Sequence, residues 1–191
     1  MLVNFDSMQA ASYAIADGDL PLELNVCKND NNSPPTREVT IQSDSVVDSS
    51  LISGQCGTDS VCIIPIGTTL QVDTSLNLGA LIVRGAVEWS DDTQVHPSAF
   101  LCAGYVAIEG SGMWDMNLQV KDAFIYIKDN GAVHHHLRSR AFGSYAATDS
   151  DYPMIDINGR ELVRTWSLLS TPVQSGDAKI ALMHNAHLMG W

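Results

Sequence analysis

A short pattern occurs three times in the middle of the chain: an apolar run, a charged residue, a glycine and the start of another apolar run. The copies are LIVRGAVEW at Leu81–Trp89, VAIEGSGMW at Val106–Trp114 and IYIKDNGAV at Ile125–Val133. Their glycines, Gly85, Gly112 and Gly131, lie 27 and 19 residues apart. Repeats of about this length are typical of solenoids, in which each strand pairs in parallel with its equivalent in the previous turn. Glycine suits a corner of such a turn because a Cβ would be hindered there.

The rest of the chain from Val61 onward has the same texture. Short runs rich in Val, Ile and Leu end at Gly, Asp or Asn, which predicts strands, and helical periodicity over ten or more residues is almost absent. The sequence therefore predicts an all-β solenoid with parallel neighbouring strands from Leu76 to Ile157. An antiparallel sandwich is the alternative interpretation. The stretch Ser139–Pro153 interrupts the strand pattern, and such excursions are frequent binding sites.

Composition limits the classes of partner. The chain has 191 residues with 45% hydrophobic content, enough to bury one core with an extension. The chain has 22 acidic and 10 basic residues, and the resulting net charge of -12 repels phosphate backbones. Nucleic acid is therefore not expected as a partner. No apolar run reaches the length of a membrane span. We expect residues 1–55 to form an N-terminal extension or cap with irregular strands, and residues 56–191 to form the β-helical domain.

The cysteines and one sequon indicate an extracellular protein. Cys56 and Cys62 in CGTDSVC have a spacing that does not suit CxxC redox or zinc chemistry but does suit a disulfide closing a small loop. Two unrelated buried thiols are the alternative. Cys102 lies in the apolar run FLCAGY and is predicted to be a buried thiol. Asn31 begins an NNS sequon that accepts a glycan if the chain is secreted.

Two segments resemble the G-eight domain, a module named for its eight glycines. The first, IIPIGTTLQVDTSLNLGALIVRGAVEW at Ile63–Trp89, is similar to the family's opening pattern, IPxGTTVxLD, followed by a glycine-containing coil. The second, IDINGRELVRTWSLLSTPVQSGDAKIALMHNAHLMGW at Ile155–Trp191, is similar to its closing segment. The resemblance covers about residues 61–191. The sequence departs from the family in having no tryptophan before Cys56 and in ending at Trp191, where family members usually continue with a further strand.

The resemblance implies a right-handed parallel β-helix of extracellular or cell-surface proteins, and a fragment of a longer β-helical protein. Fibrocystin-like receptors and hyaluronan-degrading proteins belong to this family. We therefore expect a non-enzymatic module for adhesion, ligand recognition or assembly of a larger surface structure. The expected partners are other protein chains of that assembly or a carbohydrate ligand. The alternative is a non-catalytic or substrate-facing part of a polysaccharide-degrading protein.

Three consecutive histidines form the most conspicuous polar cluster. If they lie on a strand, His134 and His136 share one face and His135 lies on the other. Two imidazoles about 7 Å apart can share a metal ion if a third ligand, such as Asp115 or Asp129, lies nearby. The alternative interpretation is a row of exposed histidines without a metal.

Acidic residues beside tryptophans form the second group of candidates. Trp89 with Asp91 and Asp92, and Trp114 with Asp115, are predicted to occupy comparable positions in successive repeats. Carboxylates suit calcium, and aromatic faces suit sugar rings, so this group predicts a ligand-binding face or a calcium site. The alternative is that both tryptophans fill the core and the acids are turn residues. Because known nucleophile and phosphate-loop motifs are missing from the sequence, no catalytic residue is predicted.

Overall fold

The chain divides into two compact units. In this computed structural model, residues 2–4, 27, 33–42, 45–94, 98–160, 166–176 and 179–185 are described. One unit is Glu23–Gly159, and the other combines Met1–Leu22 with Arg160–Trp191. The division differs from the boundary predicted at residue 55, because strands before that residue pair within the larger unit.

Strands dominate the described residues. They are β1 (Leu2–Asn4), β2 (Arg37–Thr40), β3 (Val46–Asp48), β4 (Ser60–Ile64), β5 (Thr69–Val72), β6 (Leu76–Asn77), β7 (Ala80–Val83), β8 (Ala86–Trp89), β9 (Ser98–Ala103), β10 (Val106–Glu109), β11 (Met113–Asn117), β12 (Asp122–Ile127), β13 (Phe142–Tyr145), β14 (Met154–Asn158) and β15 (Lys179–Ala181). A short helix, α1, spans Ser49–Gln55. Within the described part of the chain, helical segments long and apolar enough to cross a membrane are absent.

The larger unit contains three parallel sheets. Sheet 1 has the strand order β13-β10-β7-β4-β2, sheet 2 has β14-β11-β8-β5-β3, and sheet 3 has β12-β9-β6. From β4 to β12 the chain contributes one strand to each sheet in turn, three times over, before β13 and β14 extend sheets 1 and 2. Every strand pairing within these sheets is parallel, which confirms the prediction for Leu76 to Ile157. The antiparallel sandwich interpretation is wrong. In the smaller unit, β1 pairs antiparallel with β15.

The inner strands of sheet 1, β4, β7 and β10, are buried on both faces. Leu81 of β7 and Val106 of β10 belong to the main core, whereas the adjacent Ile82 and Ala107 belong to a second apolar cluster. Successive side chains of a strand point to opposite faces, so the second cluster lies on the outer face of the sheet. Residues from the connection 128–141, between β12 and β13, pack in that second cluster. Burial of both faces explains why these strands are continuous apolar runs.

Two of the three repeat glycines occupy equivalent corners between sheets 1 and 2. A Cβ on Gly85 would overlap the carbonyl oxygen of Thr68, and one on Gly112 would overlap that of Val83, so only glycine fits. Gly131 is not equivalent, because it follows β12 of sheet 3 and begins a loop with a φ of 75°. The prediction of three equivalent copies is therefore correct for two. An apolar run followed by a charge and a glycine describes a loop start as well as a corner.

The helix α1 lies between β3 of sheet 2 and β4 of sheet 1, a position at which the chain later contributes strands β6, β9 and β12 to sheet 3. Asp48 caps it, since its Oδ1 accepts a hydrogen bond from the backbone N–H of Leu51 at 2.8 Å. Ile52 is fully buried, and the helix packs against β3, β5 and β6. The helix thereby covers the core at the end formed by the earliest strands.

Two disulfides tie the larger unit together. Cys56 pairs with Cys62, as predicted, with 5.9 Å between their Cα atoms. Cys27 pairs with Cys102, with 5.7 Å between Cα atoms. The prediction that Cys102 is a buried thiol is therefore wrong. Its partner is 75 residues away in the sequence, so local spacing gives no sign of the bond.

Candidate functional site

The two predicted ligand-binding tryptophans lie in the core. Trp89 is 6% exposed and Trp114 is fully buried, with 6.0 Å between their ring centroids. They are not equivalent, because Trp114 is opposite Val87 whereas Trp89 is opposite Val72. The interpretation as a sugar-stacking face is therefore wrong for both residues. Their large apolar surface fills the space between the sheets instead.

Asp91 and Asp92 hold loops in place. The Asp91 carboxylate accepts hydrogen bonds from three successive backbone N–H groups, those of residues 119–121, at 2.8 to 3.0 Å. These bonds, foremost the one from Lys121, lower the pKa of Asp91. Asp92 accepts a bond from the backbone N–H of Gln94 at 2.8 Å. The Asp91 side chain thus holds a loop that is distant in sequence, and the Asp92 side chain makes a local backbone contact.

Asp115 belongs to a row of acids across sheet 2. It is opposite Glu88 of β8 and Asp156 of β14, and we call these three residues the acidic column. Adjacent strands are about 4.8 Å apart, so like charges repel along the column. The carboxylates supply oxygen ligands of the kind that calcium prefers. Repulsion between them is the measurable consequence of this arrangement.

The histidine triplet forms a turn and not a strand. The backbones of His134 and Arg138 form an antiparallel bridge with hydrogen bonds of 3.0 and 2.9 Å, and residues 135–137 make the turn between them. Arg138 adopts a φ of 69° to close it. The predicted alternation of faces is therefore wrong: the His134 ring centroid lies 4.4 Å from that of His135 and 6.2 Å from that of His136. His134 is buried, while His135 and His136 are exposed.

His134 forms a hydrogen-bonded pair with Glu109. The two atoms Nε2 and Oε1 are 2.9 Å apart, and the other ring nitrogen, Nδ1, accepts the backbone N–H of Leu137 at 3.1 Å. Because Nδ1 is an acceptor, the ring proton lies on Nε2 and is donated to Glu109. The second Glu109 oxygen accepts a bond from Arg84 Nε at 3.0 Å. Burial raises the pKa of Glu109, but the bonds from His134 and Arg84 outweigh it and hold the pKa below its ordinary value.

The connection 128–141 brings His134 to Glu109. Asn130 anchors this connection, since its Nδ2 donates to the carbonyl of Gly79 at 2.8 Å. Glu109 ends β10 on the same outer face as Ala107, which alternation along the strand requires. Tyr105 packs beside His134 with ring centroids 5.2 Å apart, and burial, with the nearby Glu38 and Glu109 carboxylates, raises the pKa of Tyr105 to about 12. Its phenol therefore stays protonated at neutral pH.

An open cavity of about 300 Å³ lies beside this pair, and we call it the histidine cleft. It is lined by Ile66, Arg84, Glu109, Gly110, Ser111, His135, His136, Tyr145, Ala147 and Asp151. The rings of His136 and Tyr145 are stacked, with centroids 3.6 Å apart and planes inclined by 19°. Desolvation, followed by the neighbouring imidazoles, lowers the pKa of His136. Asp151 accepts the backbone N–H groups of Ala147 and Thr148 at 2.8 and 2.9 Å, which closes the loop at one side.

The stretch Ser139–Pro153, predicted to interrupt the strands, contains β13 of sheet 1 and contributes Tyr145, Ala147 and Asp151 to the lining. Arg84 and Glu109 were missed as site residues, although the sequence carries a signal for them. They are the charged residues of the first two repeat copies, and their neighbours Val83 and Ile108 are opposite each other in the sheet. Opposite charges at equivalent positions of a repeat predict a pair between successive turns.

The positions of the histidines and nearby acids change the set of ligands predicted for a metal ion. Ligand atoms of Glu109, His134 and His135 all lie within 4.8 Å of one another. The geometry therefore groups His134 with His135 and not with the predicted His136, and the third group is Glu109 and not Asp115 or Asp129. Asp129 instead pairs with Arg140 at 3.5 Å. A metal-bound histidine normally donates its other N–H, but here the Leu137 N–H already points at Nδ1. The arrangement therefore favours the hydrogen-bonded pair over His134 as a ligand.

The predicted glycosylation site, Asn31, lies outside the described residues. Comparison of the chain with protein-family models, with curated proteins and with solved structures found no match. The sequence pattern and the geometry of the histidine cleft therefore carry the functional proposal.

Proposed function

We propose that this chain is an extracellular recognition module related to the G-eight domain, built as a right-handed parallel β-helix. The order of the strands supports the β-helix, because the chain supplies sheets 1, 2 and 3 in turn and every neighbouring pair in them is parallel. The disulfides Cys27–Cys102 and Cys56–Cys62 support the extracellular setting, since such bonds persist in oxidising compartments.

The module binds its ligand in the histidine cleft. The observation that carries this proposal is the stacked pair of His136 and Tyr145 beside Arg84, in a cavity of about 300 Å³. An aromatic surface with a few polar groups is typical of small-ligand sites, and the volume is at the lower end of their range. A carbohydrate ring suits this surface, because its apolar face stacks on an aromatic ring while its hydroxyls bond to the polar groups.

The second candidate function is a substrate-facing wall of a polysaccharide-degrading protein. Glu109 and Asp151 both line the cleft, and glycoside hydrolysis uses two carboxyl groups. However, the general acid of such a pair needs a raised pKa, whereas that of Glu109 is lowered. Asp151 is engaged by two backbone N–H groups. These contacts favour binding over hydrolysis.

Assembly with other chains is the remaining part of the proposal. Met154, Ile155 and Ile157 of β14 are 50%, 36% and 51% exposed, although β14 continues the apolar pattern of sheet 2. Apolar strands at the end of a sheet favour association with further strands. This feature supports a place for the module in a larger structure.

The test of ligand binding compares two tyrosine variants. An array of neutral and acidic oligosaccharides would be probed with the wild-type protein, Tyr145→Ala and Tyr152→Ala. Tyr152 is a suitable control because it is 76% exposed and lies outside the cleft lining. We expect Tyr145→Ala to weaken binding at least tenfold and Tyr152→Ala to leave it unchanged. Equal binding by both variants would contradict the proposal, and new reducing ends on incubation would favour the degrading alternative.

A further inference from the structure

Arg84 presents an unused hydrogen-bonding edge to the histidine cleft. Its Nε donates to Glu109 Oε2 at 3.0 Å, and its side chain remains 48% exposed. Among the residues that the structure describes, none accepts a hydrogen bond from the two Nη groups of Arg84. A guanidinium carries five N–H donors in a planar fork, so the edge formed by Nη1 and Nη2 is available to a ligand.

The two carboxylates of the cleft lining already accept hydrogen bonds from the protein. Glu109 accepts bonds from Arg84 and His134, and Asp151 accepts two backbone N–H groups. The other polar side chains that line the cleft are those of Ser111, His135, His136 and Tyr145. These hydroxyl and imidazole groups can donate hydrogen bonds and carry no negative charge. Apart from the second oxygen of Asp151, the lining groups that remain for a ligand can all donate, which is complementary to an acceptor.

From this arrangement we infer that Arg84 binds an oxyanion, a carboxylate or a phosphate group, carried by a small ligand of the histidine cleft. This inference rests on the proposed ligand-binding function and names the class of ligand. Bidentate pairing of the two Nη groups with two oxygens is the strong, directional form of such recognition. The fixed bond from Arg84 Nε to Glu109 holds the guanidinium in place, so less side-chain entropy is lost on binding.

Charge and size favour a small anion over an acidic polymer. The net charge of -12 repels a polyanion that extends along the surface. At physiological salt this repulsion is screened beyond about 8 Å. A small anion is therefore held by its direct hydrogen bonds to the Arg84 Nη groups, against the opposing charges of the Glu109 and Asp151 carboxylates in the lining. The cavity of about 300 Å³ accommodates a ligand of monosaccharide size.

The test uses three probes and four forms of the protein. Sodium acetate, inorganic phosphate and glucose would be titrated at constant ionic strength, and binding would be followed by the ¹⁵N–¹H signals of the arginine Nε–H and histidine side chains. The proteins are the wild type, Arg84→Gln, Arg84→Lys and Arg37→Gln. Arg37 is the matched control, because it is an exposed arginine paired with Asp59 through Nε at 3.0 Å, outside the cleft.

We expect acetate or phosphate to shift the Arg84 and His136 signals in a saturable way. Arg84→Gln should weaken binding at least tenfold and Arg84→Lys should weaken it several-fold, whereas Arg37→Gln should match the wild type. The acetate and phosphate arms identify which oxyanion the site prefers. If Arg84→Gln is not folded by circular dichroism, the Arg84→Lys variant decides the test, because it keeps the charge and loses the fork.

Two outcomes would overturn the inference in different ways. Glucose binding without any oxyanion binding would reject the oxyanion and leave the proposed ligand-binding function in place. Anion binding with equal affinity in Arg84→Gln would also reject the role of Arg84. If neither glucose nor an oxyanion binds and the oligosaccharide array is blank as well, the proposed function fails together with the inference.

Discussion

Replacing Gly85 by alanine tests how closely successive turns of the chain approach each other. A Cβ at this position would overlap the carbonyl oxygens of both Thr68 and Pro65, which are backbone atoms that cannot rotate away. The Thr68 oxygen accepts the N–H of Ala86 at 2.9 Å, and the Pro65 oxygen accepts the N–H of Thr68 at 3.1 Å. To accommodate the methyl group, the backbone of one turn has to move and weaken these bonds.

The magnitude follows from two contributions. Inserting a methyl group into closely packed surroundings costs about 1–3 kcal/mol. Each weakened hydrogen bond adds up to about 1 kcal/mol. We therefore expect Gly85→Ala to lower the free energy of unfolding by about 2–4 kcal/mol. Gly54→Ala is the matched control, because Gly54 lies in α1 and a Cβ added there would have no atom within 4 Å, so alanine should stabilise the helix by roughly 0.5–1 kcal/mol.

The assay is urea unfolding followed by tryptophan fluorescence. Trp89 and Trp114 are buried within the sheets, so their emission reports on loss of the core. The midpoint should fall for Gly85→Ala and rise for Gly54→Ala, with the slope against urea unchanged. A Gly85→Ala protein within about 0.5 kcal/mol of the wild type would refute the close approach of the two turns.

Three further predictions concern charges and disulfides. Asp115→Asn should stabilise the protein by roughly 0.2–1 kcal/mol at low salt, because it relieves repulsion in the acidic column. Thermal unfolding should show that this gain disappears in 0.5 M salt, where the Debye length falls to about 4 Å. Asp91→Asn should lower stability at neutral pH. Because the folded pKa of Asp91 is depressed, its stabilising contribution is fully present above the unfolded pKa of about 3.9 and is lost as the pH falls through the folded pKa. The acid unfolding curves of the wild type and the variant should therefore converge at low pH. Cys27 and Cys102 are 75 residues apart, so replacing both by serine opens a long loop. On the loop-entropy relation, the free energy of unfolding should fall by about 4.5 kcal/mol, against about 2.4 kcal/mol for removal of Cys56–Cys62, as measured by denaturant unfolding.

The parallel sheets could be predicted from local patterns. Apolar runs that end at glycine identify strands, and the corners at Gly85 and Gly112 repeat because each needs the same absence of a Cβ. The prediction that Gly131 occupies a third equivalent corner is wrong, because the sequence does not distinguish a strand that turns a corner from one that enters a loop. Cys27 and Cys102 pair across 75 residues, and no local spacing encodes a contact of that range.

The cleft was predictable only in part. The sequence identifies the histidine triplet as a polar cluster but does not predict its geometry. Arg138 adopts a left-handed backbone conformation that turns the chain back, so strand alternation does not apply to the three histidines. Arg84 and Glu109 could have been paired from the repeat, since they occupy equivalent positions with opposite charge. Tyr145 ends β13, a strand inside the stretch predicted to interrupt the strands, and its pairing with β10 depends on tertiary packing that local periodicity does not encode.

The central claim is that successive turns stack in parallel and in register along each sheet. Val46 and Met154 belong to one column of sheet 2, through Thr69, Ala86 and Met113, and both are well exposed. Four strand spacings of about 4.8 Å separate them, which gives about 19 Å between Cα atoms. Spin labels on cysteines at these two positions, measured by pulsed electron resonance, should give one narrow distance near that value after allowance for the label arms. A broad distribution, or a distance of more than about twice that length, would contradict the stacking of five strands in register.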